Sequence, residues 1–340
     1  MFKIFIDYNK LVDIIEREPD DAWHQILMKQ NEVGVNHYIE DNEDDPLFLF
    51  SLNGGNIEFC DETEYMNEVV SDNKKVLDNP CGAFYLNIDS TKAKEIQDRF
   101  GVICQNCEDM NSKFLTIGDI TITTTRPNTW QKKFPFGQIV PSNSLIIMDR
   151  YLFCSENKEE TINDSIENIK DMMNAFMPQS FDAEYHLCII FDATLVQTRD
   201  NTDFAKISTA LNKIKNEFSK IHGYNISLEL LSCDKRDSES YKKTHDRKVF
   251  SNYYYVAASH KLKAFRNGNP LTKQKIDLLS LYAKGLSGDL SDVPQYAHED
   301  DIKDLRSIVR EAKKHPILYG YSYNGNANIE TKDIKNRILV

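Results

Sequence analysis

The hydrophobic periodicity of the chain predicts several amphipathic helices. Apolar residues step by three and four over 204–221, and His222 with Gly223 ends this pattern. A second helix is predicted over 162–176, where Pro178 follows. Further helices are predicted after Asp7, ending near Pro19, and over 90–100, 272–286 and 300–315. In the helix over 90–100, Ser90 and Thr91 are predicted to cap the start, and Gly101 to stop the end.

Short apolar runs between turn residues predict strands. Such runs are rich in β-branched and aromatic residues, and they lie at 3–6, 47–52, 83–88, 102–106, 117–125, 144–153, 185–191, 226–231 and 248–256. The predicted strands alternate with predicted helices through most of the chain. This order indicates parallel pairing with right-handed crossovers, and therefore an α/β fold in which helices flank the sheet.

The length of 340 residues favours two domains. Residues 126–143 contain three prolines and little periodicity, which predicts a linker, and their aromatic residues predict that it is docked. The sequence thus predicts a smaller α/β domain at 1–125 and a second domain at 144–320, whose sheet is mostly parallel. The tail, 321–340, is turn-rich and ends in apolar residues that are expected to dock.

Composition places the chain among ordinary globular proteins. Hydrophobic residues make up 41% and charged residues 28%. No apolar run approaches the roughly 20 residues that span a bilayer, and the start lacks a signal-peptide pattern. Seven cysteines, an odd number, agree with reduced thiols, so we expect a cytoplasmic protein. Cys104 and Cys107 form one C-x-x-C without a second ligand pair, which we interpret as coincidence rather than a zinc site.

Charge separates one stretch from the rest of the chain. The net charge is −12, yet from Lys242 to Lys275 there are nine Lys or Arg residues and one acid, Asp246. A cationic stripe on an acidic protein predicts a dedicated site for phosphate or nucleic acid, because the general field repels polyanions. The alternative is that these lysines protect a solvated edge strand from pairing with other sheets.

The same stretch carries the residues of a family resemblance. His245, Asp246 and Arg247 precede a predicted strand at 248–256, and strands and helices alternate before them. The order over about 145–266 resembles a phospholipase-D-like domain, and its HDR start is similar to the non-catalytic C-terminal domain of MIT-domain proteins. Catalytic members of that superfamily carry His-x-Lys-x4-Asp, whose aligned positions here are His245, Arg247 and Asn252.

The resemblance implies roles for these residues. His245 is the candidate nucleophile, and Arg247 replaces the lysine that holds phosphate, although its planar fork is not equivalent to an ammonium group. Asn252 cannot supply the negative charge that raises the basicity of an imidazole, so the departures favour binding over hydrolysis.

The further phosphate-binding candidates are Lys248, His260, Lys261, Lys263 and Arg266. His260 is expected to complete a cationic pocket with His245, and Asp192 and Asp234 follow strands as site-adjacent candidates or turn caps.

The first domain carries a second, weaker resemblance. A strand at 3–6 that delivers Asp7 before a helix resembles the first element of PIN-domain nucleases, whose leading Asp helps to hold a divalent metal. This implies a catalytic, metal-binding Asp7, with Mg²⁺ or Mn²⁺ as cofactor only if the domain is active. Asp7 is equally a good helix N-cap. The other available acids fall in no identifying pattern: Asp13, Asp61, Glu62, Asp89 and Asp119.

Two nuclease-like resemblances lead to one functional expectation. We expect a bacterial protein directed at nucleic acid or another phosphodiester, an accessory of RNA processing or of antiviral defence against phage, and nuclease-like if it is active. Its expected partner is nucleic acid or another phosphate-bearing ligand, without a membrane span. The alternatives are a non-catalytic phosphate-recognising module and an assembly subunit whose basic strand contacts partner proteins.

Overall fold

The computed structural model shows two compact units. It describes residues 2–38, 45–52, 56–117, 120–123, 129–134, 140–154, 162–192, 203–232, 245–271, 273–282, 294–312, 320–322, 329–330 and 334–340. One unit comprises 1–118 with 280–294, and the other comprises 119–279 with 295–340. Both combine helices with a sheet, which confirms the α/β class. The linker and tail boundaries predicted from the sequence stay predictions.

The first unit is built on a parallel sheet. Its described strands are β1 (Lys3–Asp7), β2 (Glu32–Asn36), β3 (Glu58–Asp61), β4 (Gly82–Leu86) and β5 (Ile103–Asn106), in the order β3-β2-β1-β4-β5. Every neighbouring pair among them is parallel. The helices are α1 (Tyr8–Ile15), α2 (Ala22–Leu27), α3 (Pro46–Leu52), α4 (Thr63–Ser71) and α5 (Ser90–Phe100), with a 3-10 helix at Asn73–Asp78.

Packing fixes β1 in the sheet, and local sequence signals explain both ends of α5. Phe5 of β1 is fully buried and stacks on Phe84 of β4, with ring centroids 4.7 Å apart. Gly101 ends α5 as predicted, in a left-handed conformation with φ of 61° that glycine adopts without a Cβ penalty. The cap at the start of α5 is Asp89, one residue before the predicted Ser90, because its carboxylate accepts from two backbone N–H groups of the first turn.

The predicted strand at 47–52 is wrong, because this segment forms α3. Asp45 accepts from the Leu47 amide at 3.3 Å through its side chain, and from the Leu49 amide at 2.9 Å through its carbonyl. Pro46 then occupies the first helical position, where a missing N–H costs nothing. The helix start signals in Asp45 and Pro46 therefore outweigh the strand-like apolar run.

The second unit contains a mixed sheet. Its described strands run in the order β16-β15-β9-β8-β7-β10-β11-β14-β6. They are β6 (Ile120–Thr123), β7 (Ser144–Met148), β8 (Tyr185–Phe191), β9 (Ile226–Ser232), β10 (Lys248–Ser251), β11 (Tyr254–Ala258), β14 (Lys275–Ser280), β15 (Gly320–Ser322) and β16 (Ile329–Glu330). A separate hairpin pairs β12 (Phe265–Arg266) with β13 (Asn269–Pro270).

Parallel pairing in this sheet joins β7 to β8 and β8 to β9. The β7–β10, β10–β11, β6–β14, β9–β15 and β15–β16 pairs are antiparallel. The sheet is therefore mixed where a mostly parallel one was predicted. A tight turn accounts for the antiparallel pairing of β10 with β11, whereas β7–β10, β6–β14 and β9–β15 pair strands that are distant in the chain.

Two predicted elements of this unit are corrected. The single strand predicted over 248–256 is the hairpin β10–β11, which turns at Asn252 and Tyr253. Because β10 lies between β7 and β11, the edge-strand alternative is wrong for Lys248, the lysine of this strand. The helix predicted over 272–286 is also wrong, since 275–280 form β14, where Ile276 and Leu278 alternate with more exposed neighbours.

Of the four further helices described in the second unit, the last three were predicted, whereas the first lies in the predicted linker. The four are α6 (Trp130–Lys133), α7 (Ile162–Phe176), α8 (Asp203–His222) and α9 (Pro294–Ala312). The predicted ends of α7 and α8 are confirmed. The start of α9 precedes the predicted position, and its predicted end at 315 lies outside the described residues. No helix within the described ranges is both long and apolar enough to cross a membrane.

Two segments that were predicted to dock contain buried residues. Trp130 and Phe134, in the predicted linker, are fully buried, whereas Phe136 lies outside the described residues. At the chain end, Ile338 and Leu339 are buried, and the Glu229 carboxylate accepts from the Lys335 and Asn336 amides. The C-terminal segment is therefore fixed to the second unit.

Candidate functional site

The candidate site lies where β7 and β8 end. The register of β7 and β10 is antiparallel and pairs Met148 with Lys248. Residues that follow β7 therefore lie beside residues that precede β10. The Asp149 amide donates to the Ile190 carbonyl at 3.1 Å, and the Asp192 amide donates to the Arg150 carbonyl at 3.2 Å, so the ends of both strands are tied together.

Five charged side chains belong to this region. We call them the carboxyl-end cluster: Asp149, Arg150, Asp192, Arg247 and Lys263. The carboxyl ends of strands are where α/β sheets bind ligands. Asp192 is fully buried at the end of β8, where the sequence placed it, while Asp234 lies outside the described residues.

Asp149 organises the cluster. Its carboxylate is fully buried and accepts from the Tyr151 amide and the Leu262 amide, each at 2.9 Å. Burial raises the pKa of Asp149, and the two backbone donors and the positive charges of Arg247 and Lys263 oppose that rise. The carboxylate thus fixes the segment around Leu262 and places a negative charge near two cations.

Arg247 is the group of the cluster best suited to a ligand. Its guanidinium carbon lies 5.4 Å from the centre of the Tyr151 ring, which is a cation–π contact. Its Nε is buried and has no hydrogen-bond partner in the part of the chain that the structure describes. The residue as a whole is half-buried. A guanidinium placed over an aromatic ring can form paired hydrogen bonds to phosphate oxygens.

Other predicted phosphate ligands are already engaged within the fold. The Lys248 ammonium lies 2.6 Å from an Asp301 oxygen and 3.2 Å from an Asp246 oxygen. The Lys263 ammonium donates to the Cys154 carbonyl at 2.7 Å. Because these contacts occupy both ammonium groups, Lys248 and Lys263 contribute more to the stability of the fold than to binding a ligand.

Arg266 is engaged in the same way. Its Nε and Nη2 each donate to an Asp164 oxygen at 2.7 Å, in a bidentate pair between β12 and α7. Asp164 is buried while Arg266 is half-buried. Residues Lys242 and Lys243 of the cationic stretch lie outside the described residues.

The two histidines of the site lie at the same end of the β10–β11 hairpin, because His245 precedes β10 and His260 follows β11. Both are exposed. The His260 amide donates to the Gln274 side chain at 3.0 Å, and the Lys261 amide donates to the same oxygen at 2.9 Å. Lys261 itself is buried, so its backbone holds the loop that carries His260.

Asn252 lies at the opposite end of that hairpin. It is fully buried, accepts from the Asn143 amide at 3.0 Å and donates to the Asn143 side chain at 2.8 Å. The length of β10 separates it from Arg247, roughly 16 Å at the rise of a strand. The structure therefore brings His245 and Arg247 to one end of the hairpin but does not bring Asn252 to them.

In the first unit, Asp7 ends β1 beside β4, at the point where the strand order changes direction. Its carboxylate accepts from the Asn9 amide at 3.1 Å, which confirms its interpretation as the N-cap of α1. Within the described residues, no group of three or more His, Cys, Asp or Glu side chains is arranged to hold a metal ion. The assignments of Asp7 as a catalytic and metal-binding residue stay predictions.

The other acids considered in the first unit have local partners. Asp13 pairs with Arg17 at 2.6 Å, and Glu62 pairs with Lys3 at 2.6 Å. Asp61 accepts from the Thr63 amide and hydroxyl, at 3.0 and 2.6 Å. Asp119 lies outside the described residues.

The C-x-x-C of this unit holds two free thiols, since Cys104 and Cys107 form no disulfide. Burial raises the pKa of Cys104 to about 12 and also raises the pKa of Cys107. Thiols of this kind are poor nucleophiles.

Sequence reasoning missed the partners that define the site. Tyr151 contacts Arg247, Asp164 contacts Arg266, and Asp301 contacts Lys248. In each pair the two residues are between 53 and 102 positions apart in the chain. Asp164 lies in the first turn of α7, where helices favour acidic residues, but that signal does not identify Arg266 as its partner. No spacing rule links residues at such separations.

No protein-family model, curated protein or solved structure matches the chain. The phospholipase-D-like and PIN-like resemblances therefore stay predictions, and the function rests on the geometry of the chain itself.

Proposed function

We propose that the second unit is a phosphate-recognising module directed at nucleic acid, and that Arg247 makes the central phosphate contact. The observation that supports this proposal is the environment of Arg247. Its guanidinium rests on Tyr151, its Nε lacks a hydrogen-bond partner within the described chain, and buried Asp149 lies near enough to interact with it electrostatically.

The charge of the cluster agrees with an anionic ligand. Three cationic side chains, Arg150, Arg247 and Lys263, accompany two carboxylates, Asp149 and Asp192. The exposed His245 and His260 add donors at the same end of the β10–β11 hairpin. The five side chains of the cluster therefore sum to +1 on a chain with a net charge of −12, which favours an anionic ligand at this position.

The same geometry favours binding over phosphodiester cleavage. A histidine nucleophile needs a neighbouring group that orients it and raises its basicity. The aligned partner of His245 is Asn252, which is occupied by Asn143 at the far end of β10. We therefore assign His245 a role in contacting the ligand. In the cell, we propose a cytoplasmic accessory of RNA processing or antiviral defence.

The experiment compares Arg247→Ala with Lys273→Ala, which removes an exposed cation from the same cationic stretch. Binding of fluorescein-labelled RNA, single-stranded DNA and duplex DNA is followed by anisotropy at low salt. We expect Arg247→Ala to weaken binding about tenfold, the equivalent of about 1.4 kcal/mol, and Lys273→Ala to weaken it less than twofold. Equal effects of the two substitutions would contradict a specific role of Arg247.

A cleavage assay completes the test. The same labelled strands are incubated with the wild-type protein in Mg²⁺, in Mn²⁺ and in EDTA, beside His245→Ala and Asp7→Ala. A binding module leaves every strand intact. Cleavage that survives EDTA and disappears in His245→Ala would overturn the binding assignment in favour of catalysis at the HDR segment.

A further inference from the structure

A cavity of about 250 Å³ opens in the second unit between α7 and the β12–β13 hairpin. The lining residues used below are Glu167, Asn168, Asp171, Asn174, Phe265 and Asn267. The cavity is smaller than the sites of drug-sized ligands, and it combines one aromatic side chain with amides and carboxylates. None of these residues belongs to the carboxyl-end cluster.

The walls of the cavity are fixed by hydrogen bonds. The Asn168 side chain is buried, donates to the Phe265 carbonyl at 2.6 Å, and accepts from the Phe265 and Ala264 amides at 3.0 and 3.1 Å. Asn267 and Gly268 form the two-residue turn of the hairpin, with φ of 49° and 74°, the left-handed conformation that Asn-Gly favours. The hairpin is therefore held rigidly against α7.

Some of the lining groups are already used. Asp171 accepts from the Trp130 and Gln131 amides at the start of α6. Lys170, which also lines the cavity, lies 3.2 Å from a Glu217 oxygen. Thr129, another lining residue, accepts from the Lys132 amide through its hydroxyl at 3.2 Å. Among the described lining residues, Glu167, Asn174 and Asn267 are then the polar side chains that remain for a ligand. They offer one carboxylate acceptor and two amides that both donate and accept.

We propose that this cavity accepts one unpaired, amine-bearing base of a single-stranded nucleic acid, an inference that rests on the proposed function. A carboxylate accepts hydrogen bonds from the exocyclic amines of cytosine, adenine and guanine, whereas uracil has no such amine. Glu167 and Asp171 are negative and the positive charge of Lys170 is paired with Glu217, so the lining disfavours phosphate and a base rather than the backbone enters. A base can enter only when it is unstacked, which selects single strands.

The cavity lies within reach of the carboxyl-end cluster. Ser165, in the first turn of α7, donates to the Leu152 carbonyl at 2.5 Å, and Leu152 follows Asp149 and Tyr151 in the chain. From Ser165 to Asn174, α7 rises roughly 14 Å. This length corresponds to a few nucleotides, so the proposal places a phosphate at Arg247 and the base in the cavity on one short single strand.

The experiment measures base preference separately from affinity. Anisotropy is recorded with labelled oligo(C), oligo(A) and oligo(U) of equal length at several salt concentrations. The proteins are wild type, Glu167→Gln, and Glu64→Gln as a matched charge change on exposed α4. We expect the wild type and Glu64→Gln to bind oligo(C) about tenfold more tightly than oligo(U). Glu167→Gln lowers that ratio below threefold and leaves the salt dependence unchanged, because no phosphate contact is lost.

A second readout separates the two proposals. Thermal unfolding is followed with free cytidine, uridine or the organic cation agmatine, which carry no phosphate. A stabilisation by cytidine that Glu167→Gln abolishes supports the cavity even if no oligonucleotide binds, in which case the proposed function alone fails. Three results would overturn the base assignment. They are equal affinity for all oligonucleotides, an unchanged ratio of oligo(C) to oligo(U) affinity in Glu167→Gln, and stabilisation by agmatine but not by cytidine.

Discussion

The two units differ in how they use the acids at the ends of their parallel strands. In the first unit, Asp7 and Asp61 bind the backbone two residues further on, and both remain at least partly exposed. In the second unit, Asp149 is fully buried and accepts from Leu262, 113 residues away. Local acids start helices, whereas the buried acid joins distant segments and lies near cations.

This difference identifies where function is expected. A carboxylate that caps the next helix is satisfied by its own neighbourhood, so it needs no ligand to explain it. Burying a carboxylate costs free energy of desolvation, which hydrogen bonds from distant segments and nearby cations must offset. We therefore propose the site in the second unit, and the following substitutions test the contrast.

The largest effect is expected for Asp149→Ala. The substitution leaves the Tyr151 and Leu262 amides without acceptors in a buried region and removes the negative charge near Arg247 and Lys263. We expect the free energy of unfolding to fall by about 3 kcal/mol, measured by urea denaturation. A loss below about 1 kcal/mol would show that Asp149 is no more important than a surface cap.

The next effect concerns the pH dependence of stability. Burial lowers the pKa of His298 to about 4, while its Nε2 lies 2.8 Å from the Ser251 carbonyl. The unfolded chain binds a proton near pH 6.5 and the folded chain only near pH 4, so stability is full above 6.5 and falls towards pH 4.

The matched variant for this effect is His298→Gln, which keeps a donor for the Ser251 carbonyl. Urea denaturation at pH 7 and pH 5 is compared in the two proteins. We expect the wild type to lose about 1 to 2 kcal/mol more than the variant on acidification, since comparison with the variant cancels all other titrating groups. Parallel pH profiles would contradict a neutral, buried His298.

A double-mutant cycle compares ion pairs of the two units. In the second unit, Arg266 forms a bidentate pair with buried Asp164, across 102 residues of chain. In the first unit, Lys94 and Asp98 form an exposed pair one helical turn apart. We expect a coupling energy of about 1 to 2 kcal/mol for the former and below about 0.5 kcal/mol for the latter. Equal coupling energies would remove the energetic distinction between the units.

The smallest effect is expected for Asp7. Replacement by Ala removes the N-cap of α1 and lowers the free energy of unfolding by about 1 kcal/mol, whereas Asp7→Asn restores most of that loss because asparagine caps equally well. If Asp7 instead binds a metal, Asp7→Asn loses Mg²⁺-dependent cleavage as completely as Asp7→Ala does. Thermal and urea denaturation of both variants make the comparison.

The sequence predicted those parts of the fold that depend on local signals. The periodicity over 204–221 and the glycine at 101 define α8 and the end of α5, because both signals act within one or two turns. The failures at α3 and β14 arose where short apolar runs fit either type of element. There, a cap or a partner strand decided the outcome.

The site was only partly predictable for the same reason. His245 and Arg247 were found because they are adjacent in the chain, and their position before β10 followed from strand formers. Tyr151, Asp164 and Asp301, which decide which cations are engaged, come from other segments. Asn252 was aligned by spacing alone, and the turn at Asn252 and Tyr253 carries it away from the site.

The most direct test of the central claim is the salt dependence of nucleic-acid binding in wild type, Arg247→Ala and Lys273→Ala. Affinity for labelled single-stranded RNA is measured from about 50 to 200 mM salt, where each phosphate contact contributes about 0.7 to the slope of log affinity against log salt. The account predicts that Arg247→Ala lowers the slope by about one contact and that Lys273→Ala leaves it unchanged. An unchanged slope and affinity in Arg247→Ala would contradict it.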